Sequence, residues 1–169
     1  MAVSRSKVAR RRRLIKRRFL NECRQDLGYT EGPNNSTIFG RIYGMPNQPW
    51  CAMAVSVWAR RAGVHSIVPR FAYTPAGAQW FKDRDQWGDR PRVGAIAFYD
   101  TSGMGRISHT GVVEKVFPDG SWYAIEGNTN AAGSREGRVV RRQRRTRVGP
   151  RGGFGYPDYT ALARKELAA

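Results

Sequence analysis

Helix-forming segments fill the first half of this chain and strand-forming segments the second. The Asp119-Gly120 dipeptide joins two of those strands. Asp-Gly is a strong hairpin signal, because the turn it favours needs a positive φ that glycine adopts without strain. It makes residues 107–117 and 121–127 antiparallel neighbours. Further strands are expected over 93–99, 138–148 and 152–156. Helices are expected over 10–27, ended by Gly28, over 50–62, with Gly63 at the C-cap, and over about 75–83, opened by Pro75. Residues 29–49 are rich in Gly, Pro and Asn and read as irregular; 158–167 read as a loose terminal helix. Helices first and antiparallel strands after define an α+β fold, with N-terminal helices packed against one side of an antiparallel β-sheet.

The chain has 169 residues, five Trp, seven Tyr and seven Phe, enough for one domain with a real core. Its charge is uneven. Residues 1–24 hold ten Lys or Arg and one acid, Glu22; residues 138–151 hold seven Arg and no acid. The remaining positions carry 13 basic and 12 acidic residues, so the net charge of +17 belongs to two patches. Arg10, Arg11, Arg12, Arg13, Lys16, Arg17 and Arg18 form the first, and Arg141, Arg142, Arg144 and Arg145 the core of the second. Such patches favour polyanions such as anionic envelope polymers, anionic lipid or nucleic acid. Two cysteines are too few for a disulfide scaffold. Cys23 falls on the helical spacing of Phe19 and Leu27 and reads as a small buried apolar residue.

Cys51 is different. It stands where the turn-like Asn47-Gln48-Pro49-Trp50 gives way to the helix-like Ala52-Met53-Ala54-Val55. A thiol in the first turn of a helix meets the positive end of the helix dipole and unpaired backbone N–H groups, and both favour the thiolate. His109 lies in the strand-like segment 107–117. Glu126 and Asn128 lie two apart on the strand across the hairpin, so regular alternation projects both to one face near His109. An oxygen bonded to one imidazole nitrogen fixes the tautomer and leaves the other nitrogen for the thiol. A nucleophile, a base and an orienting group are the parts of a Cys–His hydrolase. The Cys51 N–H is the obvious oxyanion donor and Gln48 a candidate side-chain donor, with Trp50 beside it as a substrate-positioning residue. His65, in a loop after Gly63, is the rival base.

Pro49-Trp50-Cys51-Ala52 with Val55-Ser56, the Gly94-Ala95-Ile96-Ala97-Phe98-Tyr99 strand, His109-Thr110-Gly111-Val112-Val113 and Ile125-Glu126-Gly127-Asn128-Thr129 together resemble the CHAP domain, the cysteine- and histidine-dependent amidohydrolase/peptidase family. The resemblance runs from about residue 12 to residue 157. It implies a papain-like fold, with residues 1–11 as a basic flexible arm, 12–157 as the catalytic domain and 158–169 as a C-terminal tail. It also implies cleavage of an amide bond in peptidoglycan, with Cys51 as nucleophile, His109 as general base, and Glu126 and Asn128 as orienting groups. Many members are bacteriophage endolysins. This sequence has Gly94-Ala95 where many relatives have Gly-Asp, and no acidic calcium loop near Cys51, so no metal or other cofactor is expected.

Two readings compete with a wall hydrolase: a basic nucleic-acid-binding protein and a membrane-active cationic protein. The near-neutral middle of the chain and its catalytic set argue against both, so a dedicated nucleic-acid partner is not expected. No apolar run approaches the ~18–20 residues of a membrane span. No apolar stretch follows the basic start, so a secretory signal is not expected. The expectation is a monomer held in the host cytoplasm until release, by a holin-type route if phage-encoded, and acting at the cell wall.

Overall fold

A computed structural model describes residues 3–169. The order is α1 (Arg5–Gln25), a 3-10 turn at Pro33–Asn35, α2 (Ile38–Tyr43), α3 (Cys51–Arg61), α4 (Thr74–Lys82), then strands β1 (Trp87–Gly88), β2 (Ile96–Tyr99), β3 (His109–Val116), β4 (Trp122–Thr129), β5 (Val139–Arg145) and β6 (Gly153–Gly155), and finally α5 (Tyr159–Ala168). The strands form one antiparallel sheet in the order β1-β6-β2-β3-β4-β5. The expected α+β architecture is the observed one.

The central helix α3 explains itself. Nine of its eleven residues, from Cys51 to Ala59, are buried, and its side chains are apolar almost all round, as suits a helix enclosed on every side. It packs between α1, α2 and the sheet. Gly127 of β4 is what lets it come close, since a Cβ there would stand 2.7 Å from Trp50 Cζ3 and 3.1 Å from Ala54 Cβ. A second apolar layer on the other face of the sheet joins Tyr99, Val113, Trp122, Ala124 and Phe154.

The β3–β4 hairpin closes through three residues, Pro118, Asp119 and Gly120. Gly120 N–H donates to Phe117 O at 3.0 Å, Gly120 has φ +82°, and Asp119 Oδ1 accepts from Ser121 N–H. The Asp-Gly signal thus marks the hairpin, with proline opening its turn.

The termini depart from expectation. Residues 5–11, expected as a flexible arm, are the first turns of α1, whose N-terminus is capped by Ser4 accepting from Lys7 N–H. Met1 and Ala2 of that arm lie outside the described residues. The C-terminal segment is not loose. Helix α5 buries Tyr159, Leu162 and Ala163, and Glu166 pairs with Arg18 at 2.7 Å and Arg11 at 3.5 Å on α1. Asp158 caps α5 by accepting from Ala161 N–H. Among the described residues no helix is long and apolar enough to cross a membrane.

Candidate functional site

Cys51 is the first residue of α3, 6 % exposed. Helix α3 has no side-chain N-cap, so the amide groups of its first turn are left for another acceptor. The thiol opens into a cleft of about 250 Å³ whose wall includes Gln48, Tyr73, Arg106, Ser108 and Arg135. Gln48 is exposed at its rim. His109 is the first residue of β3, 3 % exposed, and lines a neighbouring cleft of about 620 Å³. Tyr99 stacks on its ring, with centroids 5.7 Å apart.

The two imidazole nitrogens have separate neighbours. Nε2 is 2.7 Å from Glu126 Oε2, and Glu126 is fully buried. Nδ1 has no hydrogen-bond partner among the described residues. The Cys51 thiol is close enough to favour the charged ring through hydrogen bonding as well as charge, although Nδ1 meets no partner of good hydrogen-bond geometry among the described residues. Catalytic contacts are often loose in the absence of substrate. Burial works against the imidazolium, but the Glu126 carboxylate, with Cys51 adding to it, outweighs burial and raises the His109 pKa to about 9. Burial pushes the Glu126 carboxyl up, and His109 and Arg145 together hold it below its usual value.

Arg145 is the component that sequence reasoning placed elsewhere. Expected in a surface patch, it is 14 % exposed and clamps Glu126 with two bonds, Nε to Oε1 at 2.9 Å and Nη2 to Oε2 at 2.6 Å. Its guanidinium also donates to Gly133 O at 3.0 Å and lies 4.6 Å from the Tyr99 ring centroid. A carboxylate with no exposure needs charge compensation, and the nearest arginine supplies it.

Asn128 is not brought onto His109. The β4–β5 register shifts between Glu126 and Thr129, and Asn128 has φ +53°, so the alternation that would have paired it with Glu126 is broken. Its Nδ2 donates instead to Arg135 O at 3.1 Å. Trp50 is not a substrate contact. It is fully buried, stacked on Phe39 at 5.3 Å, with Nε1 donating to Glu31 Oε2 at 2.6 Å. An indole that finds an aromatic partner and an acceptor for its N–H belongs in a core. His65 is exposed and lines a different cleft, with Tyr43, Arg60 and Arg70. Cys23 is fully buried, its thiol bonded to Phe19 O, and burial pushes its pKa well up.

The second basic patch is largely consumed by internal pairing. Arg142 binds Glu114, which also accepts from Arg24 at 2.7 Å; Arg144 reaches Asp119 at 3.2 Å; only Arg141 of the four is exposed without an acidic partner among the described residues. On α1, Arg10, Arg12, Arg13 and Arg17 are exposed, while Arg11 and Arg18 are tied to Glu166 and Lys16 lies half-buried 5.2 Å from the Tyr159 ring centroid. Among the described residues, no three His, Cys, Asp or Glu side chains converge as a metal site requires.

A sheet packed on a buried helix, with a thiol at the helix start and a carboxylate-bonded imidazole on the sheet, has the architecture of a cysteine hydrolase. The family model of the CHAP domain matches residues 42–128, just over half of the chain, and this chain belongs to that family. CHAP domains are cysteine- and histidine-dependent amidohydrolases and peptidases acting on peptidoglycan. The matched span contains Cys51, His109, Glu126 and Asn128 and is shorter than the stretch from 12 to 157 over which the motifs suggest a resemblance. No curated protein and no solved structure matches the chain.

Proposed function

We propose that this protein is an endolysin-like peptidoglycan hydrolase, cutting an amide bond as an N-acetylmuramoyl-L-alanine amidase or a peptidoglycan endopeptidase. The observation that carries this reading is the buried relay of His109 between Glu126 and the Cys51 thiol. The raised His109 pKa favours an imidazolium, the partner a Cys51 thiolate needs. The thiolate attacks the amide carbon, forming the C–S bond and an oxyanion. The Cys51 N–H, with Gln48 at the cleft rim, receives that oxyanion. His109 Nδ1 gives its proton to the nitrogen as the C–N bond breaks, leaving a thioester and a free amine. Water then attacks the thioester while Nδ1 takes a proton, and the C–S bond breaks to release the carboxylate.

Glu126 fixes the imidazole through Nε2–H. Arg145 keeps Glu126 ionised when His109 is neutral, which a solitary buried carboxylate would resist. Asn128 acts indirectly, by fixing the backbone that carries Arg135. Residues 12–157 form the catalytic unit of a monomer, with the exposed arginines of α1 holding it on anionic envelope polymers or lipid. If phage-encoded, the enzyme reaches the wall from the host cytoplasm by a holin-type route.

Cys51→Ala and His109→Ala test the mechanism. Each should lower hydrolysis of soluble muropeptides by about a thousandfold or more with the melting transition retained. Activity within tenfold of wild type in either folded variant contradicts the assignment.

A further inference from the structure

The clefts at Cys51 and His109 are two arms of one trough, since Ser108 and Arg135 line both. A scissile amide between thiol and imidazole would therefore place one part of its substrate in each arm. The charge along this trough is one-sided. Arg106 and Arg135 line the Cys51 arm; Arg135 and Arg147 line the His109 arm; Glu136 is the one acid lining either among the described residues. Glu136 pairs with Arg135 Nη1 at the cleft rim, its own side chain 71 % exposed, so a substrate carboxylate would compete with it for that donor.

Arg135 is only partly committed: Glu136 takes Nη1, and the Nε side of the guanidinium is left open. Its side chain is 20 % exposed and its Nε–H is buried with no acceptor among the described residues. A buried donor without a partner is unfavourable until an acceptor arrives. Its backbone is fixed by Asn128, which donates to its carbonyl from the strand that carries Glu126. The Asn130 side chain accepts from Ala132 N–H and Ser134 N–H and shapes the loop that carries it. Arg147, exposed further along the same arm, has no acidic partner among the described residues. A planar guanidinium offers paired donors that match a carboxylate.

We propose that the Arg135–Arg147 arm binds a free carboxylate of the substrate, so that the enzyme selects acidic peptides whose carboxylate lies close to the amide being cut and discriminates against the same peptides with that carboxylate amidated. This rests on the hydrolase reading and assigns its substrate class.

The test is kcat/KM on two synthetic muropeptides identical except that the stem carboxylates are free in one and carboxamides in the other. Wild type should favour the free acid by roughly tenfold or more, as suits a charge-assisted hydrogen bond. In Arg135→Gln and in Arg147→Gln the ratio of the two kcat/KM values should fall toward one, with Arg135→Lys between. Arg147 is exposed, so its variant carries the test if Arg135→Gln does not fold. Equal cleavage of both substrates by wild type, or an unchanged preference in the folded variants, overturns the carboxylate site alone. Cleavage of neither substrate overturns the hydrolase reading and this inference with it.

Discussion

Glu126 sits between two cations that act on it differently. In the proposed cycle His109 gains and loses its charge, whereas Arg145 keeps its own. With a folded-state pKa near 9 against an ordinary 6.5, the His109 interaction stabilises the protein fully below about pH 6.5 and is lost as pH rises through 9. The alkaline limb of kcat/KM should therefore fall near pH 9. Glu126→Gln leaves burial unopposed by a carboxylate and should move that limb to lower pH, with a loss of rate. Arg145→Gln should move it to higher pH, because an unshared carboxylate holds the imidazolium proton more tightly, and should also lower kcat; Arg145→Lys should recover part of both. A limb that stays in place in both Gln variants would separate His109 titration from activity. Cys51, His109 and Glu126 were legible from motif and spacing. Arg145 was not, because in a run of like charges nothing local marks which arginine turns inward. Trp50 misled through its position beside the thiol, and Asn128 because a bulge and a positive φ interrupt strand alternation.

At the scale of elements, two close approaches set the site. Gly127 admits α3, and Gly111 of β3 admits the Glu126 side chain, since a Cβ at 111 would stand 2.5 Å from Glu126 Cγ and 2.9 Å from Ile125 O. Gly111→Ala forces strand or carboxylate to move. It should cost about 1–3 kcal/mol in thermal or denaturant unfolding and lower activity by displacing Glu126 from His109. Stability within 0.5 kcal/mol of wild type together with full activity would contradict this packing. Periodicity and turn chemistry made α3 and the hairpin readable, but not the place of β6 between β1 and β2. The six residues of α2 and the two of β1 were hidden, being too short to show a period and set among Gly, Pro and Asn. The strand expected over 93–99 begins at Ile96, because Gly94 at φ +83° and a turn from Arg92 to Ala95 precede it. Helix α1 extends to Arg5 because Ser4 supplies a cap and the arginines are good helix formers.

Over the whole molecule, the net charge of +17 divides into what is paired and what is free. Ion pairs hold much of the β5 cluster, whereas α1 presents Arg10, Arg12, Arg13 and Arg17 to solvent. If that face holds the enzyme on anionic wall polymers, replacing those four with Gln should weaken adsorption to cells more than cleavage of soluble muropeptides. The wild-type advantage should fade above ~0.15 M salt. Equal loss in both assays would assign the face a structural role instead. The uneven charge was plain in the sequence, but its division into paired and free groups depends on which strands and helices become neighbours.

The central claim, a cysteine hydrolase of peptidoglycan, is tested most directly by mass spectrometry of the products released from purified peptidoglycan by wild type and by Cys51→Ala. New free ends from wild type alone are expected, with masses that tell a severed lactyl-amide bond from a severed peptide bond. Equal release by folded Cys51→Ala, or no release by wild type from any wall tested, would contradict it.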